Sequence, residues 1–502
     1  MPTKLMATKP ISKILAESEE TTEHSLKRAL GPINLVTIGI GGIIGAGIFV
    51  LTGTAAAQFA GPAIVLSFII AGIGCVFAGL CYAEFSSMLP IAGSAYTYGY
   101  ATMGELVAWI IGWALVLEYA FGAATVAVGW SGYVSSLLGF FGVKLPFNPT
   151  PSLTLSLFGH TLAARVDVFA LAALMVITLI LVIGVRESAN FNSTAVIIKV
   201  SVVLVFIGLA VSYALGPGHW AAMQINWHPF IPANRGHFGE FGWSGIMRGA
   251  GVVFFAYIGF DAVSTAAQEA RNPKKDMPFG ILGSLVVCTL LYIVVAGLLT
   301  GLIRFNYLNT PAPVADGVRF IGSGWGVVLI DLGAIAGLAS VMLVMLLGQS
   351  RVLYTMSHDG LLWPWVGRIH PRFRTPYLTS IVVGLFAAFL AAFFPITLLG
   401  ELVSLGTLLA FTIVCLGVMV MRVKHPEMKR PFRTPWVPLV PICGMIVSLS
   451  LMFSLDAPAW IGFGSWLVFG LMIYFGYSRQ HSNVQRALAA GRADERGAAL
   501  RL

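Results

Sequence analysis

Charge is scarce in this chain. Only 10% of its 502 residues are Asp, Glu, Lys or Arg, against about 25% in a soluble globular protein. Hydrophobic residues make up 57%, and the mean hydropathy is +0.86. A water-soluble globular fold is excluded. Cysteine is sparse as well. Cys75, Cys81, Cys288, Cys415 and Cys443 all fall in apolar stretches and share no metal-ligand or redox spacing. They read as small buried residues. The histidines are scattered through loops and tails without an H-E-x-x-H or similar cluster. With no nucleophile elbow and no cofactor motif, neither an enzyme nor a bound cofactor is expected. Residues 1–30 are polar and mixed in charge, so no signal peptide is apparent and the N-terminus is expected in the cytoplasm.

What the chain has in abundance is long apolar runs. A membrane-spanning helix needs about 20 mostly apolar residues. Twelve such spans are predicted, at roughly 33–58, 62–89, 104–138, 165–186, 190–215, 243–268, 278–303, 325–357, 377–394, 398–422, 435–456 and 459–478. The third and eighth are long enough to tilt or to extend beyond the lipid. Residues 90–103 read as an amphipathic segment at the cytoplasmic face, and 480–502 as a solvated or surface-bound tail. The outer loops 139–164 and 216–242 are rich in Pro, Gly, His and Trp.

The formal net charge of +9 points to orientation rather than to nucleic acid. Basic residues crowd 1–32, 271–275, 351–374, 422–433 and the tail from Arg479, all on one side of the bilayer with the spans so placed. Only Lys144, Arg165, Arg235, Arg304 and Arg319 fall in loops on the other side. This is the positive-inside pattern, with both termini cytoplasmic.

Two spans are interrupted. In the first, Gly39, Gly41, Gly42, Gly45 and Gly47 crowd the middle of an otherwise membrane-fit stretch. Glycine costs about 1 kcal/mol relative to alanine inside a helix. The cluster is therefore either a tight helix–helix contact, as Gly41-x-x-x-Gly45 would allow, or a point where the helix opens. An opened helix at mid-membrane is tolerated where its backbone lines a cavity or binds something. Freed N–H groups at a half-helix N-terminus suit a carboxylate, and freed carbonyls suit an ammonium. A zwitterionic amino acid matches both ends. In the sixth span, Phe254-Phe-Ala-Tyr-Ile-Gly-Phe-Asp261 sets glycine and aspartate inside an apolar run. Tyr257, Phe254, Phe255 and Ile258 would line that break, with core packing as the rival reading. Two interrupted spans five apart fit an inverted five-plus-five repeat, because an odd offset reverses orientation.

Glu118, Lys199 and Asp261 are ionisable residues inside spans, where each is a functional candidate by default. Glu118 in the third span can attract a cationic substrate group, contact an α-amino group or exchange a proton; a carboxyl kept for packing is the alternative. Lys199 in the fifth span lies far from either end. Desolvation disfavours its charged form, so it can gain and lose a proton and place a cation in the membrane without a metal ion. A fixed ion pair with Glu118 or Asp261 is the alternative. Asp261 follows the second break and can cap it, pair with Lys199 or meet substrate. The charged stretches 268–278 and 351–360 read as orientation and capping segments that can also form an inner gate.

Taken together, the segments Gly39–Phe49, Pro90–Tyr100, Gly112–Tyr119, Phe255–Asp261, Gln268–Pro278 and Arg351–Leu361 resemble the amino acid permeases of the amino acid–polyamine–organocation superfamily, in the cationic amino acid transporter branch. The resemblance covers most of residues 27–480. It implies an all-α polytopic membrane protein of about twelve helices, with a LeuT-type five-plus-five inverted repeat, helices 1 and 6 broken, two extra helices, and alternating access. The implied layout is a cytoplasmic segment 1–32, a transporter domain 33–478 and a tail 479–502. Within the domain, the repeats run at about 33–215 and 243–422, with extra helices at 435–478.

By the same resemblance, backbone around Ile43, Ile44, Gly45, Ala46 and Gly47 holds the substrate α-carboxylate. The break around Phe255, Ala256 and Ile258 receives the α-amino group, with Tyr257 and Asp261 in support. Glu118 matches a carboxylate near the site. Lys199 matches a lysine that takes the place of sodium in proton-coupled relatives. Ala46 stands where a threonine is common in bacterial relatives. Met345 is expected to face the pocket, shrink it and favour small neutral amino acids. The implied partners are an L-amino acid, protons and the lipid bilayer, with the chain acting as a monomer or with a small membrane subunit. Uptake with a proton is the leading expectation. Amino acid exchange without net proton movement, or a receptor that binds without transporting, are the alternatives. A bacterial inner membrane is the expected location.

Overall fold

The computed structural model describes residues 5–10, 30–89, 94–143, 166–184, 189–265, 267, 270–373 and 375–490. Among these the regular elements are all helical. Away from water a backbone must bond within its own segment, and a helix does so completely. Among the described residues seven helices are long and apolar enough to cross a membrane, and Pro32–Ile43, Val168–Ile183, Tyr377–Phe393 and Leu439–Phe453 are shorter apolar helices. With the broken sixth span they follow the twelve expected spans in order.

The third and eighth spans are Glu105–Phe140 and Gly324–His358, of 36 and 35 residues. At 1.5 Å per residue each is over about 50 Å long, well beyond the ~30 Å hydrocarbon layer. Local chemistry sets the ends of the fourth span, Val168–Ile183. The Asp167 carboxylate accepts from the Ala170 N–H at 2.9 Å, and Gly184 leaves the helix at φ 90°.

The spans pack in a pattern that recurs with an offset of five. The second, third and fourth pack against the seventh, eighth and ninth. The second, Ile64–Met88, meets the sixth as the seventh, Pro273–Leu302, meets the first. The third meets the tenth, Ile396–Lys424, as the eighth meets the fifth, Ala189–Ala214. The eleventh lies on the second and tenth, and the twelfth, Ala457–Ile473, on the third and tenth.

Two expectations are corrected at the end of the bundle that carries both termini. The helix Ser94–Thr102 does not lie on a surface: Tyr96, Tyr98 and Tyr100 are all buried, since aromatic rings point inward from several sides of this short helix. The start of the tail is also not solvated. Ser478 and Ser482 are fully buried. Ser482 donates to the Glu105 carboxylate, which also accepts from Tyr100 and Tyr474 hydroxyls, each at 3.0 Å. A buried carboxylate needs such donors. The N-terminal segment 5–10 joins this end, with Lys9 paired to Asp359 at 3.0 Å and Glu105 N–H bonded to Ala7 O. Gln268 and Glu269, expected near an inner gate, lie outside the described residues.

Candidate functional site

The first span opens where the glycines gather. Pro32–Ile43 ends at Ile44, whose backbone is extended (φ −72°, ψ 103°). The chain resumes as a π-helix, Gly47–Leu51, and runs on through Thr52–Ala55 and Ala56–Ala60. The sixth span, Gly242–Val253, tightens to a 3-10 turn, Phe254–Tyr257. It then breaks at Ile258 (ψ 137°) and Gly259 (φ 107°), before the short helix Ala262–Thr265.

The two breaks touch each other. A Cβ on Gly42 would lie 2.9 Å from the Gly259 carbonyl oxygen, and one on Gly259 would lie 2.7 Å from that of Gly42. A Cβ on Gly47 would run into the Ala256 backbone. Gly45, by contrast, faces only the Val341 methyls at 3.6 Å and beyond. The glycine cluster is therefore both an opening and a close contact: Gly39 packs on Ser284 of the seventh span, and the contact between the breaks falls on Gly42 and Gly47 rather than on Gly45 of the expected packing motif.

A helix that opens in a dry environment must find partners for its freed groups. Here they are named. Ile40 O accepts from Ile44 N–H at 2.9 Å, Gly41 O from the Lys199 ammonium at 2.7 Å, and Ile43 O from the Tyr292 hydroxyl at 2.8 Å. In the sixth span Phe255 O accepts from Ile258 N–H at 3.2 Å, and Ala256 O lies 2.8 Å from the same Tyr292 oxygen. One hydroxyl hydrogen thus serves a carbonyl from each break. The Asp261 carbonyl takes the Ser264 N–H at 2.8 Å, which starts the short helix after the break.

Lys199 is 1% exposed. Its stem lies along the eighth span, where a Cβ on Gly337 would be 2.9 Å from its Cγ. The ion pairs recorded among the described residues do not include Lys199, so the expected alternative of a fixed pair with Glu118 or Asp261 gives way to a charge-assisted bond to backbone. Glu118, 1% exposed, accepts from the Thr407 hydroxyl of the tenth span at 2.7 Å. Met345 is buried on the eighth span, its sulfur 3.6 Å from where a Cβ of Gly122 would sit, one turn along the third span from Glu118. Gly337, Val341 and Met345 recur every four residues. One face of the eighth span therefore runs from Lys199 past the first break to the neighbourhood of Glu118.

Phe255 sits beside Gly400 of the tenth span. Tyr257 turns away: its hydroxyl donates to Phe68 O of the second span at 2.8 Å, so it braces the break from behind. On the side of the termini, Phe254, Phe260 and Tyr82 close round Phe411, with ring centroids 4.9 to 5.5 Å from it. On the opposite side a cavity of about 260 Å3 is lined by Val50, Thr54 and Gln58 of the first span, with Val128, Gly132 and Ile396 among its other walls. Ala46 and Val50 against Gly129 lie between this cavity and the break. Sequence reasoning missed Tyr292, Thr407 and Gly400. Only Tyr292 carried a signal, a phenol in mid-span that has to find a polar partner.

The family profile for amino acid permeases matches residues 30–485. The chain is 43% identical over 478 residues to the methylthioribose transporter of Bacillus subtilis (strain 168), across 95% of this chain and 98% of that protein. It is also 43% identical over 470 residues to the branched-chain amino acid permease BcaP of the same organism, across 92% and 96%. It is 38% identical over 408 residues to the vacuolar cationic amino acid transporter 4 of Arabidopsis thaliana, across 80% of this chain and 65% of that protein.

Proposed function

The chain belongs to the amino acid permease family, within the amino acid–polyamine–organocation superfamily, and from that premise we propose that it takes up an L-amino acid together with a proton, by alternating access. It is a multi-pass membrane transporter and not an enzyme. The observation that carries the coupling proposal is the Lys199 ammonium on the Gly41 carbonyl, 2.7 Å away inside the broken first span. Charged, it holds a freed carbonyl by a bond worth about 1.5–3 kcal/mol. Loss of the proton weakens that hold on the helix that binds the solute, which links protonation to the shape of the site.

In this reading the carboxylate of the solute meets N–H groups of Gly45, Ala46 and Gly47, where the second half-helix begins and its dipole is positive, while the Ile44 N–H, expected among them, stays on Ile40 O and closes the first half-helix. The amino group meets carbonyls of Phe255, Ala256 and Ile258. Asp261 steadies the break, and Glu118 and Met345 bound the side chain. The recurrence of packing at an offset of five supports repeats at about 33–215 and 243–422. Solute enters from the cavity opposite the termini. The aromatic ring cluster round Phe411 parts for release. Basic residues gathered at the end with the termini, and bacterial relatives of equal similarity, support a bacterial cell membrane with both termini inside. Equal identity to a methylthioribose transporter and to a branched-chain permease means that likeness does not choose the cargo; the pocket walls do.

The test is gradient-driven uptake in proteoliposomes, against the twenty amino acids and methylthioribose, with wild type and Lys199→Gln. The variant keeps a hydrogen-bond donor but cannot titrate. It is expected to retain counterflow exchange and to lose accumulation driven by a proton gradient. Undiminished gradient-driven accumulation by Lys199→Gln would overturn the coupling proposal. Accumulation and exchange of no amino acid by wild type would overturn the transport reading.

A further inference from the structure

Three side chains beside the breaks are wholly buried and carry polar atoms without a hydrogen-bond partner among the described residues: Glu118 Oε1, both ends of the Gln349 amide, and the Ser404 hydroxyl. They are 1%, 1% and 0% exposed. A polar group taken from water without a partner costs roughly 1–3 kcal/mol. Such a set works against the stability of the closed bundle, and a bound group that completes the bonds would remove the cost.

The three lie on different helices around one place. Ser404 is one turn beyond Gly400, which packs on Phe255, and one turn before Thr407, which bonds Glu118. It therefore stands between the sixth-span break and Glu118. Gln349 is one turn beyond Met345. The third and eighth spans run antiparallel, with Met345 opposite Gly122; a Cβ on Gly348 would lie 3.2 Å from the Tyr119 ring, and one on Gly112 would lie 2.9 Å from the Met356 sulfur. This register sets Gln349 level with Glu118 and Tyr119.

The unmet atoms differ in kind. Glu118 Oε1 needs a donor. The Gln349 amide needs a donor and an acceptor, and Ser404 can take either role. An ammonium or guanidinium brings donors alone and leaves the Gln349 N–H groups unmet. An aliphatic side chain brings neither. A primary amide or a hydroxyl brings both. We infer that Gln349 and Ser404, with Glu118, form a side-chain subsite that selects solutes whose side chain ends in an amide or hydroxyl. The inference rests on the amino acid transport reading above and names the side chain that reading leaves open.

Two measurements on the purified full chain test it: thermal stabilisation in detergent by L-glutamine, L-threonine, L-leucine and L-lysine, and counterflow in proteoliposomes. Glutamine or threonine is expected to stabilise wild type at lower concentration than leucine or lysine. Gln349→Met and Ser404→Ala are each expected to lower the ratio of apparent affinities, polar over leucine, by about tenfold, the loss of one well-made hydrogen bond. Ser404→Ala removes one oxygen and serves if Gln349→Met does not fold. Tightest binding of leucine or lysine overturns the inference, as does a ratio unmoved in the folded variants. Stabilisation by none of the four overturns it as well, and counterflow of any other amino acid would then leave the transport reading standing.

Discussion

Alanine in place of Gly42 tests how the two broken helices meet. The added methyl would lie 2.9 Å from the Gly259 carbonyl oxygen and 3.4 Å from its carbon. Comfortable carbon–oxygen contacts lie near 3.3–3.6 Å, so the shortfall is about 0.4 Å or more. The atom it meets is backbone on the opposing break, so no rotamer change relieves the overlap. The half-helices must part. Overpacking of this kind costs about 1–3 kcal/mol, against a gain in helix propensity of up to about 1 kcal/mol for losing a glycine. A net loss of about 1–2 kcal/mol is expected. Parting the breaks also moves the Tyr292 hydroxyl away from one of its two carbonyls. Gly45→Ala is the control. Its methyl meets only Val341 at ordinary distance, and its stability should stay within about 0.5 kcal/mol of wild type. The assay is thermal unfolding of the detergent-purified protein, monitored by loss of the monodisperse peak, paired with counterflow. Gly42→Ala should unfold at lower temperature and lose most transport. If it matches wild type, or if Gly45→Ala is the more damaged of the two, the proposed contact between the breaks is wrong.

Further outcomes follow from the same geometry. Tyr292→Phe removes the one hydroxyl between Ile43 O and Ala256 O, leaving a buried carbonyl unmet at about 1–3 kcal/mol; a lowered unfolding temperature with reduced counterflow is expected, and unchanged values in both would show that the hydroxyl holds neither break. Met345→Ser removes the thioether packed against Gly122 and opens room beside Glu118. Competition by L-arginine and L-lysine in counterflow should rise several-fold, and a competition profile identical to wild type would place Met345 away from the pocket.

The order of the spans could be read from apolar run length, since a dry environment demands a continuous bonded helix. The fourth and eleventh helices came out shorter than their apolar runs. Asp167 and Gly184 fix the fourth span's ends by local bonds that hydropathy does not weigh. The two breaks were legible because glycine and aspartate are costly inside a span. Their partners were not. Tyr292 and Thr407 are separated from the breaks by long stretches of chain, and Gly400 looks like any membrane glycine. The segment 90–103 reads as amphipathic, yet Tyr96, Tyr98 and Tyr100 are buried, because alternation of polar and apolar letters says nothing about what packs on the polar side.

The sequence by itself determined that this chain spans a membrane, which way the basic loops bias it, and where two of its helices open. These follow from one-dimensional quantities: run length, charge placement and the cost of glycine. Tertiary structure alone decided that Gly42 meets Gly259, that Lys199 bonds a backbone carbonyl instead of a carboxylate, and that Gln349 stands level with Glu118. Those outcomes depend on the register of antiparallel helices and on which freed group lies within hydrogen-bond reach, and neither is fixed until the helices pack.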